Sequence, residues 1–263
     1  MNVYNNVDYE TFIKLNEKNH IEWKEKEKKG NSDYKNSTIY VGKNLIGTFL
    51  LCMKKIPLGN IDFEHINNPP LTGPIITAWR ELIIVKKIQG FHQQVASENF
   101  VHYYTSFMVE EKEQPYLVLV FDFIPFTLYE ILQISPLSQQ DEMDFLLQFS
   151  FLMMYMDNIG IHHCDLHWKN LMVDIPLKPT CLRFRYKNLN LETRPQNKIY
   201  FIVDYGCSQI NSQKSNFYEW KKFLLQLFHE SHDIFKSTNY SDVFKYLHSK
   251  KLWVFSVKNS LKI

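Results

Sequence analysis

The stretch His163-Cys164-Asp165-Leu166-His167-Trp168-Lys169-Asn170, taken with Asp204-Tyr205-Gly206, decides how the rest of the chain is read. It sets a carboxylate, Asp165, five positions ahead of an amide, Asn170. A second carboxylate, Asp204, closes the apolar run Ile199-Tyr200-Phe201-Ile202-Val203, so it is expected at the end of a strand. Upstream, residues 128–134 and 142–156 carry helix-like patterns, and the second leads through Gly160 into the His163 stretch.

The catalytic loop of protein kinases reads H-R-D-L-x-x-x-N, and His163, Asp165 and Asn170 resemble it in identity and spacing. The resemblance implies that Asp165 takes the proton of a substrate hydroxyl, and that Asn170 and Asp204 hold Mg2+ on the phosphates of ATP. Tyr205 stands where D-F-G has Phe. The spelling D-L-H-W-K-N followed by D-Y is similar to the D-L-H-W-G-N and D-Y-T of haspin-type kinases. Asn170 and Asp204 are 34 positions apart, resembling the insertion those kinases carry there. Cys164 replaces Arg, Lys169 replaces Gly and Gly206 replaces Thr. His167 occupies the place where Ser/Thr kinases commonly have Lys, which implies a hydrogen bond to the transferring phosphate. His163 is expected to pack under Asp204.

The fold this implies is an α/β (α+β) bilobal protein-kinase-like fold, with a small antiparallel-sheet N-lobe plus one helix and a mainly helical, shortened C-lobe. Residues 38–56 are β-prone, with Gly42-Lys43-Asn44 and Gly47 as turn signals, and read as consecutive antiparallel strands. Within them Leu51-Cys52-Met53-Lys54 resembles the V-A-I-K strand whose lysine reaches the α/β-phosphates. Lys55 is expected on the opposite face, because strand side chains alternate. The lysine's partner is expected on a helix over 77–88, where Glu81, Ile84, Val85 and Ile88 share one face. A lone carboxylate on that apolar face is costly unless paired. Glu64 and Glu98 lack this setting.

Ahead of Lys54 there is no G-x-G-x-x-G. Gly30, Ser32 and Ser37 precede Ile39, which stands 15 residues before Lys54 as the apolar residue expected on the nucleotide base. Side chains in place of glycines restrict how closely backbone amides approach phosphate, which keeps a pseudokinase in view. Residues 117–125 resemble the strand and hinge between lobes, with Phe121 as gatekeeper and Asp122, Phe123 and Ile124 offering backbone groups to adenine. The expected organisation is a partly helical N-terminal extension over 1–29 and a kinase domain over 30–263, divided into N-lobe and hinge (30–124) and C-lobe (125–263). A hairpin-like insertion at about 176–200 is expected from pairing 182–186 with 199–203 around Pro195. Residues 217–228 read as a central helix. Beyond Gly206 only 57 residues follow, without A-P-E, leaving little room for a peptide-docking platform.

At 263 residues and 45% hydrophobic, the chain can bury a sizeable core, and its formal charge of +2 gives no strong argument for a nucleic-acid or membrane partner. Its bias toward Asn, Lys, Ile, Phe and Tyr, with 8 glycines, is that of an AT-rich coding sequence such as a large DNA virus has. Four cysteines without a C-x-x-C pair suggest reduced thiols in the cytoplasm or nucleus. No secretory signal is expected at Met1-Asn2-Val3-Tyr4-Asn5-Asn6, and the apolar window 145–156 falls short of the roughly 20 residues a membrane span needs. His162, His163, Asp165 and His167 match no zinc spacing.

The function implied is ATP- and Mg2+-dependent phosphoryl transfer to Ser/Thr of a protein, a basic or histone-like tail, by a monomer. The alternatives are a small-molecule phosphotransferase of choline or aminoglycoside kinase type, whose H-G-D-L-H-x-x-N loops are also similar, and a nucleotide-binding pseudokinase scaffold. Cys164 cannot make the pair that the H-R-D arginine makes with a phosphorylated activation loop. Activity is therefore expected to be constitutive, with Ser→Ala changes at Ser208, Ser212 and Ser215 of little effect.

Overall fold

Strand alternation in the first half of the chain and one long apolar helix in the second build two units, 1–86 with 102–124 and 87–101 with 125–263. The computed structural model describes residues 2–3, 10, 12–14, 17, 21–29, 37–44, 50–95, 99–186, 189–210, 215–228, 233–250 and 253–255. The protein is mixed α/β, and every sheet is antiparallel.

The first unit holds β1 (Asn2–Val3), β2 (Ile21–Lys29), β3 (Ser37–Asn44), β4 (Leu50–Pro57), β5 (Tyr103–Glu111) and β6 (Gln114–Asp122), ordered β1-β5-β6-β4-β3-β2 in one sheet. Central β6 is buried on both faces. Val118 and Val120 pack with Leu51, Phe107, Val109 and Phe12, whereas Leu117 and Leu119 pack with Ile56, Leu58, Ala78 and Trp79. Its near-continuous apolar run follows from that double burial. Helix α1 (Asn60–Glu64) leads to α2 (Ala78–Val95), whose N-terminus is fixed by buried Asp62. The Asp62 carboxylate accepts from Ala78 N at 2.9 Å and Gly59 N at 2.8 Å, satisfying a donor that the helix itself leaves orphaned.

Two expectations change here. Residues 21–29 are no extension but a sheet strand, since β2 pairs with β3 along its length. Ile21 and Trp23 pack on the core while Glu22 and Lys24 face solvent, a period of two obscured in sequence by the Glu/Lys run. Phe12 joins the same core, 4.7 Å from the Phe107 ring. Gly42 lies inside β3 opposite Trp23 and makes no turn. A Cβ there would stand 2.6 Å from Ile21 Cγ2, so the neighbouring strand's side chains require glycine. Gly47 lies outside the described residues.

The second unit opens with β7 (Phe126–Thr127), α3 (Leu128–Ile134) and α4 (Gln139–Asn158). Helix α4 begins at Ser138, whose side chain caps Asp141 N at 3.1 Å, and gives way to Gly160 at φ 68°. Buried all round at its centre, with Gln148 and Ser150 among its apolar residues, it is the hub of the unit. Around it stand β8 (Ile161–His162), β9 (Leu171–Asp174), β10 (Arg183–Tyr186), β11 (Leu189–Thr193), β12 (Ile199–Ile202), β13 (Gln209–Ile210), α5 (Asn216–Leu227), α6 (Tyr240–Ser249) and β14 (Trp253–Phe255). Phe145 meets Tyr200 of β12 at 4.9 Å, Phe149 meets Phe223 of α5 at 5.5 Å, and Phe151 meets Phe244 of α6 at 4.5 Å. Three small sheets, β12-β9-β7, β13-β8 and β10-β11-β14, complete it. Among the described residues no helix is long and apolar enough to cross a membrane.

The expected hairpin is re-paired. Residues 183–186 pair with 189–192, which follow after two intervening positions in sequence, while the wholly buried 199–202 pairs with 171–174. Strand 199–202 thus takes the partner farther away in sequence, 171–174 rather than 182–186, and Pro195 lies outside both ladders.

Candidate active site

In the first unit Lys54 sits on β4 opposite Ile39 of β3 and Leu119 of β6. Its Nζ donates to Glu81 Oε1 at 2.7 Å and Oε2 at 2.9 Å, with the two side chains only 12% and 6% exposed. Glu81 lies in the first turn of α2, where the helix dipole favours a carboxylate. Lys55 turns the other way, pairing with Glu111 and lying 4.2 Å from the Tyr116 ring centroid. Arg80 is buried and donates to the Gly73 carbonyl at 3.2 Å, and Glu64 is exposed. Glu98, Gly30 and Ser32 lie outside the described residues; Ser37 is buried at the start of β3.

At the end of β6, Phe121, Asp122 and Phe123 are half-buried and Ile124 is buried. The Asp122 carboxylate accepts the Tyr104 hydroxyl at 2.7 Å, and burial together with that carboxylate pushes the Tyr104 phenol well above its ordinary value. Asp122 N–H donates to the His102 carbonyl at 3.0 Å, so any adenine contact by Asp122 itself would run through its own carbonyl.

In the second unit the β9–β12 ladder ends at the pair Leu171–Ile202, and Val203 N donates to the Asn170 carbonyl at 3.0 Å. Asn170 and Asp204 therefore come to the same end of that ladder. Buried Asn170 turns its Nδ2 to the Asp165 carbonyl at 3.0 Å and to Asp165 Oδ2 at 3.4 Å, which leaves Oδ1 as the oxygen for a cation. Asp204 has φ 64° and ψ 71°, a left-handed conformation in which Asp and Asn are over-represented. An amide oxygen and a carboxylate suit Mg2+, which takes few protein ligands, all oxygen. Among the described residues no group of three or more His, Cys, Asp or Glu is placed to hold a metal. The Asp165 side chain is 46% exposed, with His167 Nε2 3.7 Å from its Oδ2. Tyr129 N donates to the Trp168 carbonyl at 3.2 Å, and Lys169 Nζ lies 5.2 Å from the Tyr129 ring centroid, so the start of α3 braces the loop.

His163 ties the two halves of this loop cluster together. Its Nε2–H donates to the Val203 carbonyl at 3.1 Å, its Nδ1 accepts from Asp165 N at 3.3 Å, and its ring stands edge-on to Tyr205. Those bonds describe a neutral imidazole. Burial holds its pKa below the ordinary value, against the opposing pull of Glu219, the Val203 carbonyl, Asp204 and Asp165. Above pH about 6.5 folded and unfolded states are both neutral at this residue. Below it the unfolded chain takes a proton that the folded chain resists, so stability falls with falling pH by at most about 1.4 kcal/mol per unit. Thermal melts at pH 7 and 5.5 should show the loss, and His163→Gln should remove this part of the slope; an unchanged slope would count against a neutral His163.

Two residues that position the loop were not read from the sequence. Glu219 accepts from Leu166 N at 2.9 Å and Cys164 N at 3.1 Å, holding the loop where Cys164 takes φ 66°. Asn216, fully buried, accepts from His163 N at 3.1 Å and donates to the Ile161 carbonyl and to Asp157, both at 2.6 Å. The available signal was a pair of polar residues beside the apolar stripe Phe217, Trp220, Phe223 and Leu224 of α5. Asn216→Ala leaves a buried N–H and a buried carbonyl unsatisfied, and should cost about 2–4 kcal/mol in denaturant melts. A loss below about 0.5 kcal/mol would mean that the network relaxes around the gap.

Two of the serines make structural bonds. Ser208 is fully buried with its Oγ donating to the His163 carbonyl at 3.0 Å, and Ser215 caps α5 and donates to Asp157 at 3.0 Å. Both hold the loop cluster, so Ala at either position removes a structural bond; Ser212 lies outside the described residues. No known protein-family model matches the chain, and no curated protein matches it.

Proposed function

We propose that the chain is an ATP- and Mg2+-dependent phosphotransferase acting on Ser/Thr hydroxyls of a protein, in line with its resemblance to haspin-type kinases. The observation that carries this reading is the gathering of Asp165, Asn170 and Asp204 around one end of the β9–β12 ladder, joined through His163. The buried Lys54–Glu81 pair in the other unit supports it independently. In this reading the two units correspond to the N-lobe and C-lobe of a bilobal protein-kinase-like fold.

Asp165 orients the acceptor hydroxyl and takes its proton as the oxygen attacks the γ-phosphorus. Its exposure leaves the carboxylate open to an incoming substrate. His167, beside it, donates a hydrogen bond to the phosphoryl group in transfer. Lys54, held by Glu81, carries the charge for the α/β-phosphates, and Ile39 and the 122–124 backbone serve the base. Asn170 Oδ1 and the Asp204 carboxylate would hold Mg2+, which neutralises charge on the β- and γ-phosphates.

The test compares ADP release with three acceptor sets: basic histone proteins, a Ser/Thr peptide library, and a panel of amino alcohols and aminoglycosides. Release driven by the protein or peptide acceptors is expected. Release driven only by the small molecules would assign the chain to choline- or aminoglycoside-type chemistry, and nucleotide binding without release would make it a scaffold.

A further inference from the structure

Cys164 stands in a chain of three titratable side chains, all in the second unit. Its Sγ lies 2.8 Å from His162 Nδ1, and His162 Nε2 lies 3.4 Å from Glu219 Oε2. With Nε2–H turned to that carboxylate, Nδ1 presents its lone pair to the thiol. The His162 carbonyl oxygen is farther from the sulfur, at 3.6 Å. A nucleophile in reach of a base that a third group orients is the arrangement that activates cysteine. The left-handed backbone at Cys164, held by Glu219 on its N–H, fixes the sulfur in that position. Further charged or titratable groups nearby are Asp165 and His163 in the same loop. Asp157 at the end of α4 and Glu219 both bear on the Tyr240 hydroxyl of α6, which burial and those carboxylates push well above its ordinary value.

We propose that Cys164 is a nucleophilic thiol primed by His162 and Glu219, a covalent modification site for soft electrophiles and peroxide. His162 takes the thiol proton, and the thiolate attacks. With iodoacetamide an S–C bond forms, the C–I bond breaks and iodide leaves. With hydrogen peroxide an S–O bond forms and the O–O bond breaks. The departing hydroxide takes the proton from His162, so the thiol is oxidised by two electrons to sulfenic acid and the peroxide is reduced to water.

The other cysteines are internal controls, none of the four being in a disulfide. Cys181 is exposed, whereas Cys164 is only half-buried. Accessibility alone would label Cys181 first. An ordinary thiol is about 1% ionised at pH 6.5, so a thiol relieved of its proton by His162 reacts faster there, although lower intrinsic nucleophilicity takes back part of the gain. The expected excess of Cys164 over Cys181 is about five- to tenfold.

The experiment is a timed iodoacetamide pulse on the full chain without nucleotide, at pH 6, 7 and 8, with labelling at each cysteine read by peptide mass spectrometry. Expected are faster labelling of Cys164 than of Cys181 at pH 6 and 7 and a shallow pH dependence at Cys164, against the nearly tenfold rise per unit of an ordinary thiol. His162→Asn, which keeps a polar group near Sγ but no base, should bring Cys164 back to the steep profile. Cys164 labelling more slowly than Cys181 with the same steep profile would overturn the proposal, and the wild-type profile decides this even if the variant does not fold. No nucleotide enters the measurement, so its outcome is independent of the phosphotransferase reading.

Discussion

Asp165→Asn is expected to lower phosphoryl transfer by about 10²–10⁴-fold while leaving Mg2+-ATP affinity within a few-fold. The carboxylate is 46% exposed and, among the described residues, bonds Asn170 Nδ2 and lies near His167, both of which an amide can still meet. The backbone carbonyl that anchors Asn170 is untouched by the change. What Asn loses is the capacity to accept a proton. The effect should therefore fall on kcat, with nucleotide binding read by calorimetry nearly unchanged. Transfer at the wild-type rate would remove Asp165 from the role of base.

Asp204→Ala acts on a different quantity. It should abolish the Mg2+-dependent part of nucleotide binding and cost about 10²–10³-fold or more in transfer, because the charge developing on the phosphates loses its clamp. The alanine also meets a left-handed backbone at φ 64°, which a carboxylate residue tolerates better, so some destabilisation accompanies the functional loss. Asp204→Asn separates the two effects. It retains the side chain's tolerance of that conformation and should still bind Mg2+-ATP far more weakly than wild type. Equal affinity with and without Mg2+ in the wild-type chain would contradict the ligand role.

How legible the molecule was depends on which interactions write themselves into local sequence. The Lys54–Glu81 geometry could be anticipated because strand alternation separates Lys54 from Lys55, and helical periodicity leaves Glu81 as the one carboxylate on an apolar face. Helices α3, α4 and α5 were legible from apolar patterning, with ends within a few residues of those expected. Strand β2 was not. Its Glu/Lys run hid the alternation of Ile21 and Trp23, and Gly42 resembled a turn although it serves a close approach between strands. The pairing of residues 183–186 and 199–202 depended on partners that local pattern does not rank. Glu219 and Asn216 were invisible for a related reason, since their targets are backbone groups more than 50 positions away and backbone carries no sequence signal.

The deciding measurement is transfer of radiolabelled γ-phosphate from ATP to a basic protein substrate, run side by side for wild type and Asp165→Asn, with Mg2+ and with EDTA. Full label on Ser or Thr of the substrate is expected for the wild-type chain with Mg2+, label about 10²–10⁴-fold lower for the variant, and none for either with EDTA. Label that is indifferent to both EDTA and the Asp165 change, or no label on any acceptor despite Mg2+-dependent ATP binding, would contradict the phosphotransferase reading.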